Sequence, residues 1–396
     1  MIWDNVAVFE SPAEACDLKP REIFLTALRR GQVPRPATGS ATSIVTADLM
    51  AKVGVHFPEA HLDARKMSQL AAAGYTELGF DNVMPLFSTW HDAAALGCKV
   101  DWGDDHRMPD SRERLYRVGD DIRIPRGFLR KPSCKVALDT LRMLKEEHGA
   151  EVAIVGKVFG PWTLGYHLFG VEEFLINTLD NPSAVRKAMS VLKEATVMFG
   201  KAQIEAGADA LCLADHATRD LCSPAAYRDF LFEIHQEINA RLGCPVILHI
   251  CGDTSDRIGY IRETGIACFH FDSKTGAPRR AQRAQRTANG SNGEDGDDSG
   301  ITASATTTAG EPLPTDAASL ARQLAGDRLA LMGGTSNLLI IKDGTEEAIR
   351  NDVREKIAAG TDIIGPECAV PLNAPWRNMK ILTAEARRAQ RTAPPA

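Results

Sequence analysis

The chain has no run of apolar residues long enough to cross a membrane, and neither sign of charge is in large excess. Lysine and arginine number 46 against 52 aspartates and glutamates, a net charge of -6, so neither nucleic acid nor a membrane is an expected partner. The opening residues Met1 Ile2 Trp3 Asp4 Asn5 lack the basic-then-apolar order of a secretory leader, and a cytoplasmic setting is expected. Cysteine is too sparse for a disulfide framework: nine residues, an odd number, are scattered over 396. Reduced thiols are expected, most of them in the core. What remains, 44% hydrophobic and 25% charged, is ordinary for a soluble enzyme able to bury a large core.

Strand-like and helix-like segments alternate along the chain. The short apolar runs Glu151–Val158, Asp209–Ala214, Pro245–Ile250, Ile266–Phe271, Arg328–Met332 and Asp362–Gly365 read as buried strands. Between them, Pro182–Ala206, Pro224–Leu242, Asp316–Ala325 and Thr345–Ala359 carry apolar residues at three and four spacing, several opening with Ser, Asp or Thr near a proline. Strand and helix units repeated this way predict parallel strands with crossover helices. The expected fold is α/β, a (β/α)8 TIM barrel with N-terminal additions, in one domain spanning 1–396.

One stretch breaks the alternation. From Gly276 to Pro314 the composition shifts to Ala, Arg, Gly, Ser, Thr and Asp, with almost no large apolar residue. Such a segment cannot bury enough surface to order itself and is expected to be a disordered loop insertion. It begins basic at Arg279, Arg280, Arg283 and Arg286 and turns acidic at Glu294, Asp295, Asp297 and Asp298, so a docking arm for a partner is the alternative. Residues 390–396 read as a tail.

The chemistry concentrates where apolar runs end. Cys244 Pro245 Val246 Ile247 Leu248 leads into His249 Ile250 Cys251 Gly252 Asp253, and a second run ends in Glu367 Cys368. On an extended strand, side chains two apart leave the same face, so His249 and Cys251 can close on one ion, with Cys368 completing the set. Zinc takes imidazole nitrogen and thiolate sulfur, and three protein ligands leave a fourth position for a substrate. The competing reading makes the cysteines small buried hydrophobes and the histidine a satisfied polar group. Placement favours the metal, because strand ends are where α/β proteins carry their chemistry.

Flanking residues are candidates of a second rank. Asp215 and His216 follow the strand-like Asp209–Ala214 and either line the mouth as proton carriers and substrate contacts or cap the next helix. Asp253 either orients His249 as a hydrogen-bond acceptor or begins a helix. Glu367 is a fourth ligand or a solvated loop carboxylate. His61, His167 and Tyr166 are read as pocket lining.

The motifs His249–Asp253, Phe271 Asp272 Ser273 Lys274 and Gly365 Pro366 Glu367 Cys368 Ala369 Val370 Pro371 Leu372 together resemble the corrinoid methyltransferase branch of the uroporphyrinogen decarboxylase superfamily, the methylcobamide:coenzyme M methyltransferases above all. Phe57–Asp63, Ala95–Asp101 and Gly160–Leu164 extend the likeness, which covers roughly residues 20 to 390 apart from the insertion. The resemblance implies a TIM barrel with zinc held by His249, Cys251 and Cys368. It further implies an acceptor thiol deprotonated by that zinc and methylated from a methyl-Co(III) corrinoid, coenzyme M being the family acceptor. Family members usually place proline after the aspartate matching Asp215, so His216 departs from the pattern.

The corrinoid itself is expected on a separate protein. Corrinoid modules carry Asp-x-His-x-x-Gly, and the nearest strings here, Asp104 Asp105 His106 and Ala214 Asp215 His216, lack the glycine. That partner would cap the barrel's C-terminal mouth, since methyl and sulfur must come within about 3 to 3.5 Å to react. The alternative within the superfamily is a tetrapyrrole decarboxylase, but Gly31–Thr46 contains no Arg-Gln-Ala-Gly-Arg string. A zinc-binding scaffold without catalysis is the third reading.

Overall fold

The computed structural model describes residues 18–111, 113–276 and 316–389. The expected disordered insertion lies, beyond Gly276, outside the described residues, as does the tail from 390. Eight strands follow one another: β1 Ala37–Thr38, β2 Asn82–Val83, β3 Ala153–Phe159, β4 Ala210–Ala214, β5 Val246–His249, β6 Cys268–Phe271, β7 Ala330–Gly333 and β8 Ile363–Ile364. All seven pairings are parallel, in the order β1-β8-β7-β6-β5-β4-β3-β2. The expected (β/α)8 barrel is the observed fold.

Its last seam, between β1 and β2, is closed by a side chain. Asn82 Oδ1 accepts from Ser40 N at 3.0 Å and its Nδ2 donates to Ser40 O at 2.9 Å, while Asp81 N donates to Thr38 O at 2.8 Å. The carboxamide thereby mimics the strand ladder where both strands are two residues long.

The outer helices bury one stripe each. The 24-residue helix Pro182–Glu205 covers Leu192, Val197 and Phe199, each worth about 1.5 to 3 kcal/mol when removed from water. Side-chain caps start the helices: Asn181 accepts from Ala184 N, Ser223 from Ala226 N, Asp316 from Ser319 N and Thr345 from Ala348 N. Between Pro224 and Leu242 the expected continuous α-helix is interrupted, because Tyr227–Phe232 adopts the wider π spacing. No helix among the described residues is long and apolar enough to cross a membrane.

The N-terminal face of the barrel is tied by carboxylates that immediately precede strands. Asp81 takes Arg35 through both guanidinium nitrogens at 2.7 Å, and Asp362 takes Arg322. Asp209 takes Arg21 and Lys145, both at 2.8 Å, and the backbone N–H of Ile154 at 3.0 Å. Burial alone would push the Asp209 carboxyl up, but these donors hold it below the ordinary value. A depressed folded pKa stabilises above the unfolded pKa of about 4 and loses that stabilisation as pH falls through the folded value. Asp209→Asn is expected to cost about 2 kcal/mol at pH 7, with solvent screening of the half-exposed Arg21 and Lys145 keeping it from being larger. Urea melts at pH 7 and pH 3 check this: the difference shrinks in acid.

Candidate metal centre at the barrel mouth

His249 is the last residue of β5, and Cys251 and Cys368 stand just past the ends of β5 and β8. All three therefore open onto the C-terminal face. The fold brings them together: His249 Nε2 lies 3.0 Å from Cys251 Sγ, which lies 3.0 Å from Cys368 Sγ. The three ligand atoms fall within 4.8 Å of one another. His249 is buried and the two cysteines are half-buried.

Proton affinities within the trio diverge. The Cys368 thiol is held well below its ordinary value, first by the hydrogen bond from Cys251, against the opposing effect of burial, and further by His249. Cys251 is pushed well above its own, by Cys368 and then by burial. Of the two sulfurs, Cys368 is the one that gives up its proton more readily and Cys251 the one that keeps it. Metal ligation would remove that proton as well.

The surrounding loops are stapled by buried polar groups. His249 Nδ1 faces the backbone carbonyl of His270 at 3.3 Å, which leaves Nε2 as the lone-pair nitrogen on the thiol side. His270 in turn donates through Nε2 to Pro366 O at 2.7 Å, tying β6 to the segment that carries Cys368. Asp272 accepts from Gly252 N at 2.8 Å. Glu367 accepts from Ser273 N at 3.0 Å and Asn337 N at 2.8 Å. Gly252 has φ +78°, and a Cβ there would stand 2.4 Å from Thr218 Oγ1, so the turn after Cys251 needs glycine on two counts.

Some sequence-selected residues do other work. Asp253 does not face His249. Its Oδ1 accepts from Ser255 N at 3.0 Å and Gly276 N at 2.8 Å, and its Oδ2 lies 3.4 Å from Arg219. It closes a loop, because the backbone carbonyl of His270 already occupies the orienting position. Asp253→Ala is therefore expected to leave metal affinity within about twofold, where loss of an orienting carboxylate would weaken it ten- to a hundredfold. A competitive metal titration separates the two.

Asp215 is fully buried just past β4; its backbone N–H donates to His249 O at 3.0 Å, while its carboxylate finds partners outside the trio. Its Oδ1 accepts from Thr163 N at 2.7 Å and its Oδ2 pairs with His235 Nε2 at 3.1 Å, while His235 Nδ1 meets Tyr227 Oη at 3.0 Å. The helix it caps is Pro161–Phe169, which precedes β4, rather than the one that follows. His216 donates its N–H to Thr163 Oγ1 at 2.7 Å and completes that tie. Glu367, at 6% exposure, is not a solvated carboxylate; one oxygen accepts from Ser273 N and the other from Asn337 N. His61 stacks on Phe57 and His167 on Trp90, each at 4.0 Å between centroids, and Tyr166 accepts from Trp162 Nε1.

His270, Asp272 and Asn337 were not legible as site residues. His270 sits inside the apolar run Cys268–Phe271, and its contribution to His249 is a carbonyl oxygen that every residue type possesses.

The uroporphyrinogen decarboxylase (URO-D) family model matches residues 19–389. The chain belongs to this family. Among its relatives, a methylated-thiol–coenzyme M methyltransferase of Methanosarcina mazei is 28% identical over 365 residues, covering 92% of this chain and 88% of that protein. A methylcobamide:CoM methyltransferase, MtaA, of Methanosarcina barkeri is 26% identical over 363 residues, covering 91% of this chain and 95% of that protein. Of solved structures, a methyltransferase from Methanosarcina mazei superposes with a TM-score of 0.80 at 24% identity, covering 94% of this chain and 99% of that one, a likeness of fold.

Proposed function

We propose that this URO-D family member is a zinc-dependent methyltransferase that moves a methyl group from a protein-bound methyl-Co(III) corrinoid to an acceptor thiol, coenzyme M being the acceptor named for its relatives. The observation that carries the reading is the convergence of His249 Nε2, Cys251 Sγ and Cys368 Sγ at the C-terminal mouth. The donor set fits zinc: one imidazole whose other nitrogen faces a carbonyl, and two cysteine sulfurs 3.0 Å apart. Bound there, zinc supplies a Lewis acid that lowers the pKa of an acceptor thiol, ordinarily about 8.5.

The chain's own residues do the rest. The Glu367 and Asp272 staples hold the two cysteine loops at fixed separation, so the ligands need not reorganise. Phe159, Ala214 and Met332, all buried, share the register row of His249 across the neighbouring strands. A separate corrinoid protein docks on the open face. The acceptor sulfur then takes the methyl group as the carbon–cobalt bond breaks, giving a thioether and Co(I). A cytoplasmic setting, where thiols stay reduced, suits the free cysteines.

The decarboxylase reading is the weaker one. Arg35 is the sole arginine of Gly31–Thr46, and it is bound to Asp81 on the N-terminal face, away from the mouth. The test is incubation of the purified protein with methylcobalamin and a panel of thiols while the cobalt spectrum is followed. Appearance of Co(I) that a chelator abolishes supports the proposal. Turnover of uroporphyrinogen instead would overturn it.

A further inference from the structure

The loop after β4 runs beside the loop that carries Cys251. Asp215 N donates to His249 O and Arg219 N to Asp253 O, both at 3.0 Å, so residues 215–219 lie in register against 249–253. His216 therefore stands alongside Ile250 and Cys251, held from the other side by its backbone N–H on Thr163 Oγ1 at 2.7 Å. Its ring lies edge-on to Tyr166, with centroids 6.3 Å apart at 89°, and the residue is exposed. Among the described residues neither ring nitrogen has a hydrogen-bond or ion-pair partner. The ring is outside the ligand set, yet near enough for His249 and Cys368 to act on its charge, together with Asp215 and Asp272.

A thiol must lose its proton before its sulfur can attack, and with a pKa of about 8.5 it still holds that proton at pH 7. A group that takes the proton and passes it to water has to be neutral and open to solvent. The carboxylates of Asp215, Asp253, Asp272 and Glu367 are buried and accept from backbone N–H groups. Lys157, lowered by burial to about 8, is already protonated at pH 7. His270 is fully buried, with Nε2 given to Pro366 O. The pKa of His216 is lowered, first by the partial cover over its ring and then by His249, so at pH 7 the ring is neutral and carries a lone pair.

We propose that His216 is the proton acceptor for the incoming thiol. As the acceptor sulfur settles at the trio, its S–H bond breaks and the electron pair stays on sulfur. The proton passes to the unprotonated ring nitrogen of His216, directly or through one water, and from there to solvent. The inference rests on the thiol-acceptor reading above. Because the transfer accompanies binding, it governs kcat/KM below the pKa of the thiol and leaves the later methyl transfer untouched.

The first measurement needs no turnover. Calorimetric titration of the zinc-loaded full chain with 2-mercaptoethanesulfonate at pH 7, in phosphate and in Tris, counts the protons that thiol binding gives to the buffer. Wild type is expected to release clearly less than one proton, because His216 keeps part of it beside the bound thiolate, and His216→Gln to release one. In methyl transfer from methylcobalamin, His216→Ala should lose about a hundredfold in kcat/KM at pH 7, with kcat and zinc content unchanged. Added imidazole should restore part of the loss, and the variant should approach wild type above about pH 9, where the thiol arrives already ionised. Both substitutions keep the backbone N–H that Thr163 receives. A full proton released by wild type, or pH profiles that coincide in wild type and variants, overturns the proposal. If wild type binds no thiol, the thiol reading fails and takes this role with it; thiol binding with a proton count that His216→Gln does not move refutes the role and leaves that reading standing.

Discussion

Cys368→Ala is expected to strip the protein of stoichiometric zinc and, with it, of methyl transfer to any thiol. Zinc bound by a full ligand set in a small domain is worth about 10 to 16 kcal/mol, so one thiolate contributes about 3 to 4 kcal/mol, or on the order of a hundred- to a thousandfold in affinity. Cys251→Ala should behave alike, since each sulfur sits 3.0 Å from the other and neither has a replacement donor in place. Metal analysis after dialysis, beside a methylcobalamin assay, checks both variants. Retention of one zinc per chain by either would remove that cysteine from the ligand set.

Glu367→Ala is expected to have the next largest effect, by a different route. The substitution leaves two buried backbone N–H groups without acceptors, at about 1 to 3 kcal/mol each, and unties the β6 and β7 loops from the segment bearing Cys368. Stability should fall by about 2 to 5 kcal/mol, and metal affinity by about ten- to a hundredfold as its ligand loses support. Glu367→Gln keeps one accepting oxygen and should recover part of both. Chemical denaturation and metal titration on the same preparations test the coupling; a stability loss with metal affinity intact would show that the staple holds the fold without positioning Cys368.

The barrel was legible where strands are buried on both faces. β3 to β8 match the six apolar runs, with β3 and β7 each extending one residue beyond theirs, because parallel strands wrapped by helices carry no polar alternation to obscure them. β1 and β2 were not legible, since two-residue strands have no period and their seam depends on Asn82 meeting Ser40 across 42 positions of sequence. Helix starts were marked by Ser223, Asp316 and Thr345, whereas the π turns at Tyr227–Phe232 and Asn337–Lys342 were not marked.

The trio was legible for a physical reason: alternate positions on a strand share a face, and strand ends converge on one mouth. Residues around it were not. Asp253 looked like the acceptor for His249 by proximity in sequence, but the turn at Gly252 sends its carboxylate toward Ser255 and Gly276. Asp215 read as lining the mouth or capping the next helix, and its carboxylate is sealed between Thr163 and His235 instead. Which partner a carboxylate finds is a property of the assembled loops.

Zinc K-edge absorption spectroscopy of the purified protein, with and without acceptor thiol, addresses the central claim most directly. The account predicts one nitrogen near 2.0 Å and two sulfurs near 2.3 Å as the protein-derived neighbours, with a third sulfur when the thiol is added. A spectrum with no sulfur neighbours, or one that thiol leaves unchanged, would contradict it.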